Sequence, residues 1–225
     1  MIKFNDDTSY WNKNYSKKNF YLEWPDELVV RFQKKFMKKK SNSNILDLGC
    51  GSGRHCELFA KSNYDIFGCD VSSKSISITK NRLNFFNIDS SHFIKSFSHD
   101  LPYKSNSFNY VLAWHSIYYN TFENMILSIK EISRILKKNG LAFITIMASS
   151  DSRLKNSKLI SKNTFSATNK IKDHSGMTFS YLTKSQAKKL LQKYFQIIHL
   201  GYQEFYFDDT SKTSHLLIIV KKNKF

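Results

Sequence analysis

Residues 44–55 read NILDLGCGSGRH, a short apolar run that contains an acid and leads into three glycines at every second position. A second apolar run, residues 66–69, ends at Asp70. A strand that feeds a glycine-rich turn and then a helix allows a ligand to approach the backbone closely, because glycine carries no side chain. An acid at the end of the next strand is placed to accept hydrogen bonds from ribose hydroxyls. The pattern predicts a site for a nucleoside cofactor.

The spacing of the glycines indicates which nucleoside is bound. Dinucleotide folds use G-x-G-x-x-G, whereas this chain has Gly49-x-Gly51-x-Gly53. Arg54 stands where the third dinucleotide glycine would fall, and the Gly-Lys-Ser/Thr of a phosphate-binding loop is missing. Asp47, just before the glycines, suits a cationic or amino-bearing ligand better than a phosphate. S-adenosyl-L-methionine (SAM) carries a sulfonium, an ammonium and a ribose but no phosphate, so we expect SAM as the cofactor.

With these motifs the chain resembles the class I SAM-dependent methyltransferases of small-molecule type, from about Tyr10 to Lys222. The specific points are residues 44–55, Asp70, and the blocks LPYKSNSF (101–108) and LKKNGL (136–141). The whole-chain pattern is also similar to bacterial methyltransferases found with surface-glycan biosynthesis. The resemblance implies an α/β fold: a Rossmann-like seven-stranded, mostly parallel sheet with helices on both faces and an antiparallel C-terminal strand pair.

The chain length, 225 residues, is natural for one α/β domain. We therefore expect a single SAM-binding domain over residues 1–225, with an N-terminal helical lid at 1–40 and an acceptor-side loop or insert at 148–182. Strands and helices alternate up to the strand at 141–147, and the dipeptide at 139–140, Asn-Gly, is expected to end the helix before it. Residues 148–180 show no clear period. Thr183 and Gln186 form a capping box for the last helix.

Composition limits the partners. A net charge of +17 could indicate a nucleic-acid partner. However, specific recognition of nucleic acids relies on arginine, only five of the 35 basic residues are arginine, and the lysines are scattered. Lys, Asn, Phe and Ile share AT-rich codons, so we expect solvated lysine faces and no nucleic-acid partner. The chain lacks an apolar run of about 18 residues, which argues against a membrane span. The polar N-terminus and three cysteines without C-x-x-C pairing predict a cytoplasmic protein with no metal site.

The resemblance assigns cofactor contacts to matching positions. Asp47 and the backbone of Gly49 and Gly51 are expected at the methionyl end, and Asp70 at the ribose. The remaining expected cofactor-binding residues are Gly53, Val71, Ser98 and Trp114.

The acceptor is expected beside the loop that follows the fourth strand. His115 and His174 are the candidate catalytic bases, although a base is needed only if the acceptor must lose a proton. The expected acceptor contacts are Tyr15, Tyr118, Tyr119, Tyr181 and His215.

Three functions remain open. The first is methyl transfer to an O or N atom of a polar small molecule, such as a sugar or a surface-polysaccharide precursor. The second is an RNA or protein methyltransferase, and the third a non-catalytic SAM-binding module. Enzymes that methylate base amino groups carry Asn/Asp-Pro-Pro-Tyr/Phe after the fourth strand. Here residues 113–116 read AWHS, which disfavours that chemistry.

Overall fold

The computed structural model describes residues 7–17, 20–38, 43–168, 175–206, 208 and 211–223. The helices are α1 (Asp7–Asn14), α2 (Glu27–Phe36), α3 (Arg54–Lys61), α4 (Ser73–Phe85), α5 (Phe122–Ile135) and α6 (Lys184–Leu191). The strands are β1 (Asn44–Leu48), β2 (Asp65–Asp70), β3 (Phe93–Lys95), β4 (Phe108–Ala113), β5 (Leu136–Ala148), β6 (Ser157–Ser161), β7 (Thr164–Ala167), β8 (Thr178–Leu182), β9 (Phe195–Tyr206) and β10 (Lys212–Lys222). Among the described residues, no helix is long and apolar enough to cross a membrane.

The parallel half of the sheet has the order β3-β2-β1-β4-β5. The chain starts in the middle at β1, moves outward through β2 and β3, and returns to β4 on the other side of β1. Strand order therefore reverses between β1 and β4. In open parallel sheets, ligands bind beyond the carboxyl ends of the strands at such a point.

The antiparallel C-terminal pair is confirmed. β10 lies between β5 and β9 and is antiparallel to both. Helices cover both faces, as expected: α5 and α6 pack with one apolar cluster, and α2, α3 and α4 with the other. Helix α2, which lies within the expected N-terminal lid, is thus part of the core.

Three strands extend the seven that the sequence predicts. β6, β7 and β8 come from the stretch expected to be irregular, and β8 joins β5 at Met147 and Ala148. The expectation of a loop there was wrong. The sequence shows no clear period over this stretch, but polar side chains of these strands form hydrogen bonds with residues far away in the chain. Thr164 accepts from the backbone N–H of Phe122 at 2.9 Å, and Ser180 Oγ donates to the Asn120 carbonyl at 2.7 Å.

The junction of α5 and β5 also differs from expectation. Asn139 and Gly140 were expected to end α5, yet α5 ends at Ile135 and β5 begins at the next residue, Leu136. The two residues lie inside β5, where the pairing with β4 shifts register and Asn139 has a φ of +64°. Asn139 and Gly140 are residues that favour turns, and here they lie at an irregularity within the strand.

Candidate cofactor and active site

The glycine turn after β1 has a backbone that side chains would disrupt. Gly49, Gly51 and Gly53 have φ values of +80°, +57° and +79°, in the left-handed region that favours glycine. A Cβ atom on Gly49 would lie 2.4 Å from Ser116 Cβ, in the loop after β4. The glycines therefore allow this close approach, and Gly53 also provides the cap from which α3 begins.

Asp70 joins the end of β2 to the glycine turn. Its carboxylate accepts from the backbone N–H of Gly51 at 3.0 Å and from that of Ser72 at 2.9 Å. Burial raises the pKa of Asp70, while these backbone hydrogen bonds oppose the rise. The side chain still faces a cavity, so its position is fixed and open to a ligand.

Asp47 lies deeper than Asp70. It is 1% exposed, and its Oδ2 accepts a hydrogen bond from Cys56 Sγ at 3.2 Å. Burial raises the pKa of Asp47 to about 7. It is not among the cavity-lining residues, so its expected contact with the methionyl end stays a prediction.

A partly open cavity lies at the carboxyl ends of β1, β2 and β4. Its lining includes seven of the expected site residues: Tyr15, Gly49, Asp70, Val71, Ser98, His115 and Tyr119. Lining residues that sequence reasoning did not assign to the site are Trp11, Leu48, Cys69, Ser96, Ser116 and Asn120.

Helix α1 covers one side of this cavity. Trp11 lies on α1 and packs edge-on against Tyr119, with ring centroids 5.1 Å apart, and Tyr15 directly follows the helix. Asn12 holds the helix in place, because its Oδ1 accepts from Ser72 Oγ at 2.8 Å and from the backbone N–H of Lys74 at 3.2 Å. Trp11 and Tyr15, two aromatic residues four positions apart, are the signal for this cover in the sequence.

His115 also lines the cavity. Its φ is +49°, and its backbone N–H donates to Thr145 Oγ1 at 2.6 Å. Its ring Nδ1 lies 3.2 Å from the hydroxyl of Tyr118. Burial, followed by the nearby His215 and Arg153, lowers the pKa of His115 well below its usual value. The imidazole is therefore neutral at pH 7.

A buried polar chain continues behind His115. The Tyr118 hydroxyl lies 3.1 Å from His215 Nε2, which lies 3.2 Å from Arg153 Nη2. Asp151 Oδ1 and Oδ2 each accept from the Arg153 guanidinium at 2.8 Å. Tyr118 and His215 are buried and lie behind the cavity wall, so their expected acceptor contacts stay predictions. Sequence reasoning did not assign Asp151 or Arg153 to the site.

Three expected site residues lie elsewhere or outside the description. Trp114 packs against Phe143 with ring centroids 5.0 Å apart, in the core on the α2–α4 face. Tyr181 lies on β8 beside Phe165, at 5.5 Å between centroids. His174 lies outside the described residues. None of the three is seen in the cavity lining, and their roles stay predictions.

The donor set of the cavity suits SAM. Asp70 offers a carboxylate to a vicinal diol, and the glycine turn has no Cβ to block a backbone approach. Ser116 Oγ is buried beside Gly49 without a hydrogen-bond partner among the described residues. A buried polar atom without a partner is costly, so a bound polar ligand would satisfy it. The described residues contain no group of three or more His, Cys, Asp or Glu that could hold a metal.

Comparison with known proteins identifies the family of this chain. The family model described as "Methyltransferase domain" matches residues 39–197. The chain belongs to this family and is a class I SAM-dependent methyltransferase domain, with SAM as the family's cofactor.

Three curated relatives show the range of this family. The chain is 27% identical over 138 residues to a probable S-adenosylmethionine-dependent methyltransferase of Saccharomyces cerevisiae, covering 59% of this chain and 46% of that protein. It is 30% identical over 112 residues to the ubiquinone biosynthesis O-methyltransferase of Pelagibacter ubique, covering 49% and 44%. It is 25% identical over 126 residues to the probable tRNA methyltransferase 9B of Mus musculus, covering 56% and 25%. The matches thus span under half of each relative.

A solved structure shows the same fold over most of both chains. A SAM-dependent methyltransferase of Methanosarcina mazei superposes with a TM-score of 0.67 at 17% identity, covering 89% of this chain and 99% of that one. At this identity the likeness concerns the fold.

Proposed function

We propose that this protein transfers the methyl group of SAM to an oxygen or nitrogen atom of a polar small molecule, with a sugar or surface-polysaccharide precursor as the preferred class. One observation carries the proposal: Asp70 and His115 line the same cavity. An acid suited to a ribose and a neutral histidine suited to proton transfer thus face one cavity. This arrangement is what a bisubstrate reaction requires.

In the proposed arrangement, Asp70 accepts hydrogen bonds from the ribose hydroxyls. The methionyl end lies along Gly49 and Gly51, with Asp47 beneath them. The adenine lies toward Val71 and Ser98, where Ser98 Oγ is 2.8 Å from Ser128 Oγ and receives a bond from Asn120 Nδ2 at 3.4 Å. SAM supplies a methyl group already activated by its sulfonium.

The residues of this chain have three tasks in the reaction. Trp11 and Tyr15 exclude water from the cavity, which strengthens polar interactions inside it. Tyr119 and Asn120 orient the acceptor. His115 removes the proton that the acceptor oxygen or nitrogen loses, since its neutral imidazole is a base at pH 7.

A polar acceptor is supported by the lining. Ser96, Ser98, Ser116 and Asn120 add hydroxyl and amide groups to a cavity that also has aromatic walls. Such a mixture suits a sugar-like or phenolic molecule better than a lipid tail. The ubiquinone O-methyltransferase among the relatives also acts, by its name, in the synthesis of a small molecule.

RNA methylation is the second candidate. The relative described as a probable tRNA methyltransferase and the net charge of +17 favour it. The scarcity of arginine argues against it, because guanine and phosphate recognition relies on arginine forks.

A turnover screen distinguishes these functions. S-adenosylhomocysteine (SAH) production from SAM is measured with sugars, nucleotide sugars, phenols, amines and bulk RNA, for the wild type and Asp70→Ala. We expect turnover with a small polar acceptor that falls to background in the variant. Turnover with RNA alone would support the second candidate, and SAH binding without turnover on any acceptor would indicate a non-catalytic module.

A further inference from the structure

The buried chain behind His115 is built from residues far apart in the sequence. The Tyr118 and His215 pair spans 97 positions, and the His215 and Arg153 pair spans 62. Asp151 is 2% exposed and also accepts from the backbone N–H of Ser214 at 2.8 Å, which ties it to β10 beside His215. Two side chains, Tyr118 and His215, thus connect His115 in the cavity wall to the buried ion pair of Arg153 and Asp151.

The guanidinium determines the protonation of the inner histidine. Arginine only donates hydrogen bonds, so the contact from Arg153 Nη2 requires an unprotonated Nε2 on His215. His215 is then neutral, with its proton on Nδ1. Burial, followed by the charge of Arg153, lowers the pKa of His215, which agrees with this state.

The hydroxyl of Tyr118 has three neighbours that its single proton could reach: His115 Nδ1, His215 Nε2 and the hydroxyl of Tyr119. If the proton went to His115 Nδ1 or to Tyr119, the oxygen of Tyr118 and the lone pair of His215 Nε2 would face each other without a proton between them. If it goes to His215 Nε2, the Tyr118 oxygen is free to accept from His115 Nδ1–H. Only this last arrangement makes the contacts of His115, Tyr118, His215 and Arg153 all hydrogen bonds, with the Nε2 lone pair of His215 shared between the Tyr118 and Arg153 donors.

We infer that Asp151, Arg153, His215 and Tyr118 are positioning residues that hold His115 as the Nδ1–H tautomer and so leave its Nε2 unprotonated as the proton acceptor. This role rests on the proposed function, since it concerns how His115 acts as a base. Asp151 aligns Arg153 through two hydrogen bonds, Arg153 sets the tautomer of His215, and Tyr118 transmits that choice to His115.

Asp151 also has a structural role, because it accepts from the backbone N–H groups of Arg153 and Ser214, but these bonds do not require the charge of Arg153. A buried ion pair is weak evidence for stability, because the cost of removing both charges from water offsets their attraction. Residues of similar volume without charge would fill the same space. The charged and titratable groups facing His115 are Tyr118 beside it, His215 from β10, Arg153 after β5, and Arg54 and His55 from α3.

The tautomer is measured directly by nitrogen NMR. The protein is labelled with ¹⁵N-histidine, and the His115 signals are assigned by their loss in His115→Gln. We expect Nδ1 to carry the proton in the wild type and the preference to disappear in Tyr118→Phe, which keeps the ring but removes the hydroxyl. A wild-type His115 protonated on Nε2 would overturn the inference.

Kinetics test the role of the ion pair. Arg153→Met alone would leave the Asp151 carboxylate buried without a counter-charge, so Asp151→Asn and Arg153→Met are combined. Loss of positioning should lower kcat by about 10- to 100-fold, within the range of general-base catalysis, while KM and the Kd for SAH stay within about threefold. Without the Arg153 charge, the pKa of His115 rises, and the acidic limb of the kcat/KM profile moves to higher pH.

The matched control is the pair of Arg134 and Glu131, near the end of α5. Arg134 Nη2 donates to Glu131 Oε2 at 2.7 Å, and neither residue lines the cavity. Glu131→Gln with Arg134→Met should leave the pH profile in place. A profile unmoved in the Asp151/Arg153 variant would overturn the inference. If the NMR result holds but no acceptor is methylated, the proposed function fails and the hydrogen-bond chain stands.

Discussion

The hydroxyl oxygen of Tyr15 lies 2.6 Å from the point that a Cβ atom on Gly51 would occupy. Tyr15 follows the covering helix α1, and Gly51 is the middle glycine of the turn after β1. The approach therefore connects the cover of the cavity to the glycine turn, of which Gly49 lines the cavity and Gly51 does not. Burial and the charge of Asp70 raise the pKa of Tyr15, which keeps this hydroxyl protonated at neutral pH.

Gly51→Ala should weaken SAH binding about tenfold or more. The added methyl group displaces Tyr15, and the φ of +57° is strained for alanine by roughly 1–2 kcal/mol. Calorimetric titration with SAH measures the loss. Combining Gly51→Ala with Tyr15→Phe removes the clashing oxygen and should recover part of the affinity. Wild-type affinity in the single variant would show that the turn and the cover do not shape the site.

Asp70→Ala should lower SAH affinity by about 1.5–3 kcal/mol, roughly ten- to a hundredfold, because charge-assisted hydrogen bonds are lost. Asp65→Ala is the control, since Asp65 is exposed at the opposite end of the same strand. Circular dichroism checks that both variants fold. A folded Asp70→Ala protein with an unchanged dissociation constant would remove Asp70 from the cofactor site.

Asn12→Ala should release the covering helix more easily. Its amide oxygen accepts three hydrogen bonds, from Ser72, Ser73 and Lys74, at the start of α4. Losing them should speed SAH dissociation about fivefold, equivalent to about 1 kcal/mol. Stopped-flow tryptophan fluorescence measures the rate, with exposed Lys13→Ala as the matched control on the same helix. Equal rates in both variants would argue against a covering role for α1.

Asp47 gives a prediction about stability and pH. Its folded-state pKa of about 7 lies above the usual 3.8, so the folded protein holds the proton more tightly than the unfolded chain. Its contribution to stability is present below pH 3.8 and is lost as the pH rises to about 7. The loss is at most about 4 kcal/mol.

Urea unfolding of the wild type and Asp47→Asn at pH 5 and pH 8 isolates this contribution. The asparagine variant should gain stability relative to the wild type as the pH rises. The two proteins are compared because both contain His115 and His55, whose pKa values are lowered. These histidines make the stability rise with pH, whereas Asp47 makes it fall. A difference between the two proteins that does not depend on pH would contradict the assignment.

Local patterns predicted much of the framework and the cofactor side of the cavity. The glycine turn and Asp70 are contiguous motifs whose geometry follows from backbone freedom and strand ends, and they lie where the sequence indicated. The capping box of Thr183 and Gln186 is also present as predicted. Such features depend on neighbours a few residues apart.

The parts that sequence reasoning missed depend on distant partners. Strands β6–β8 are stabilised by contacts such as that of Ser180 with the Asn120 carbonyl, which no periodicity reveals. Arg153 is read in the sequence as one of several basic residues, and only the folded chain shows it between Asp151 and His215. Trp114 follows β4 as expected, but its ring packs against Phe143 in the core, a contact between residues 29 positions apart.

Titration calorimetry of the wild-type protein with SAH and with NAD shows whether the cavity beyond β1, β2 and β4 binds SAM. We expect one SAH site whose heat is strongly reduced in Asp70→Ala, and no measurable NAD binding. Tight NAD binding without a response to SAH would contradict it.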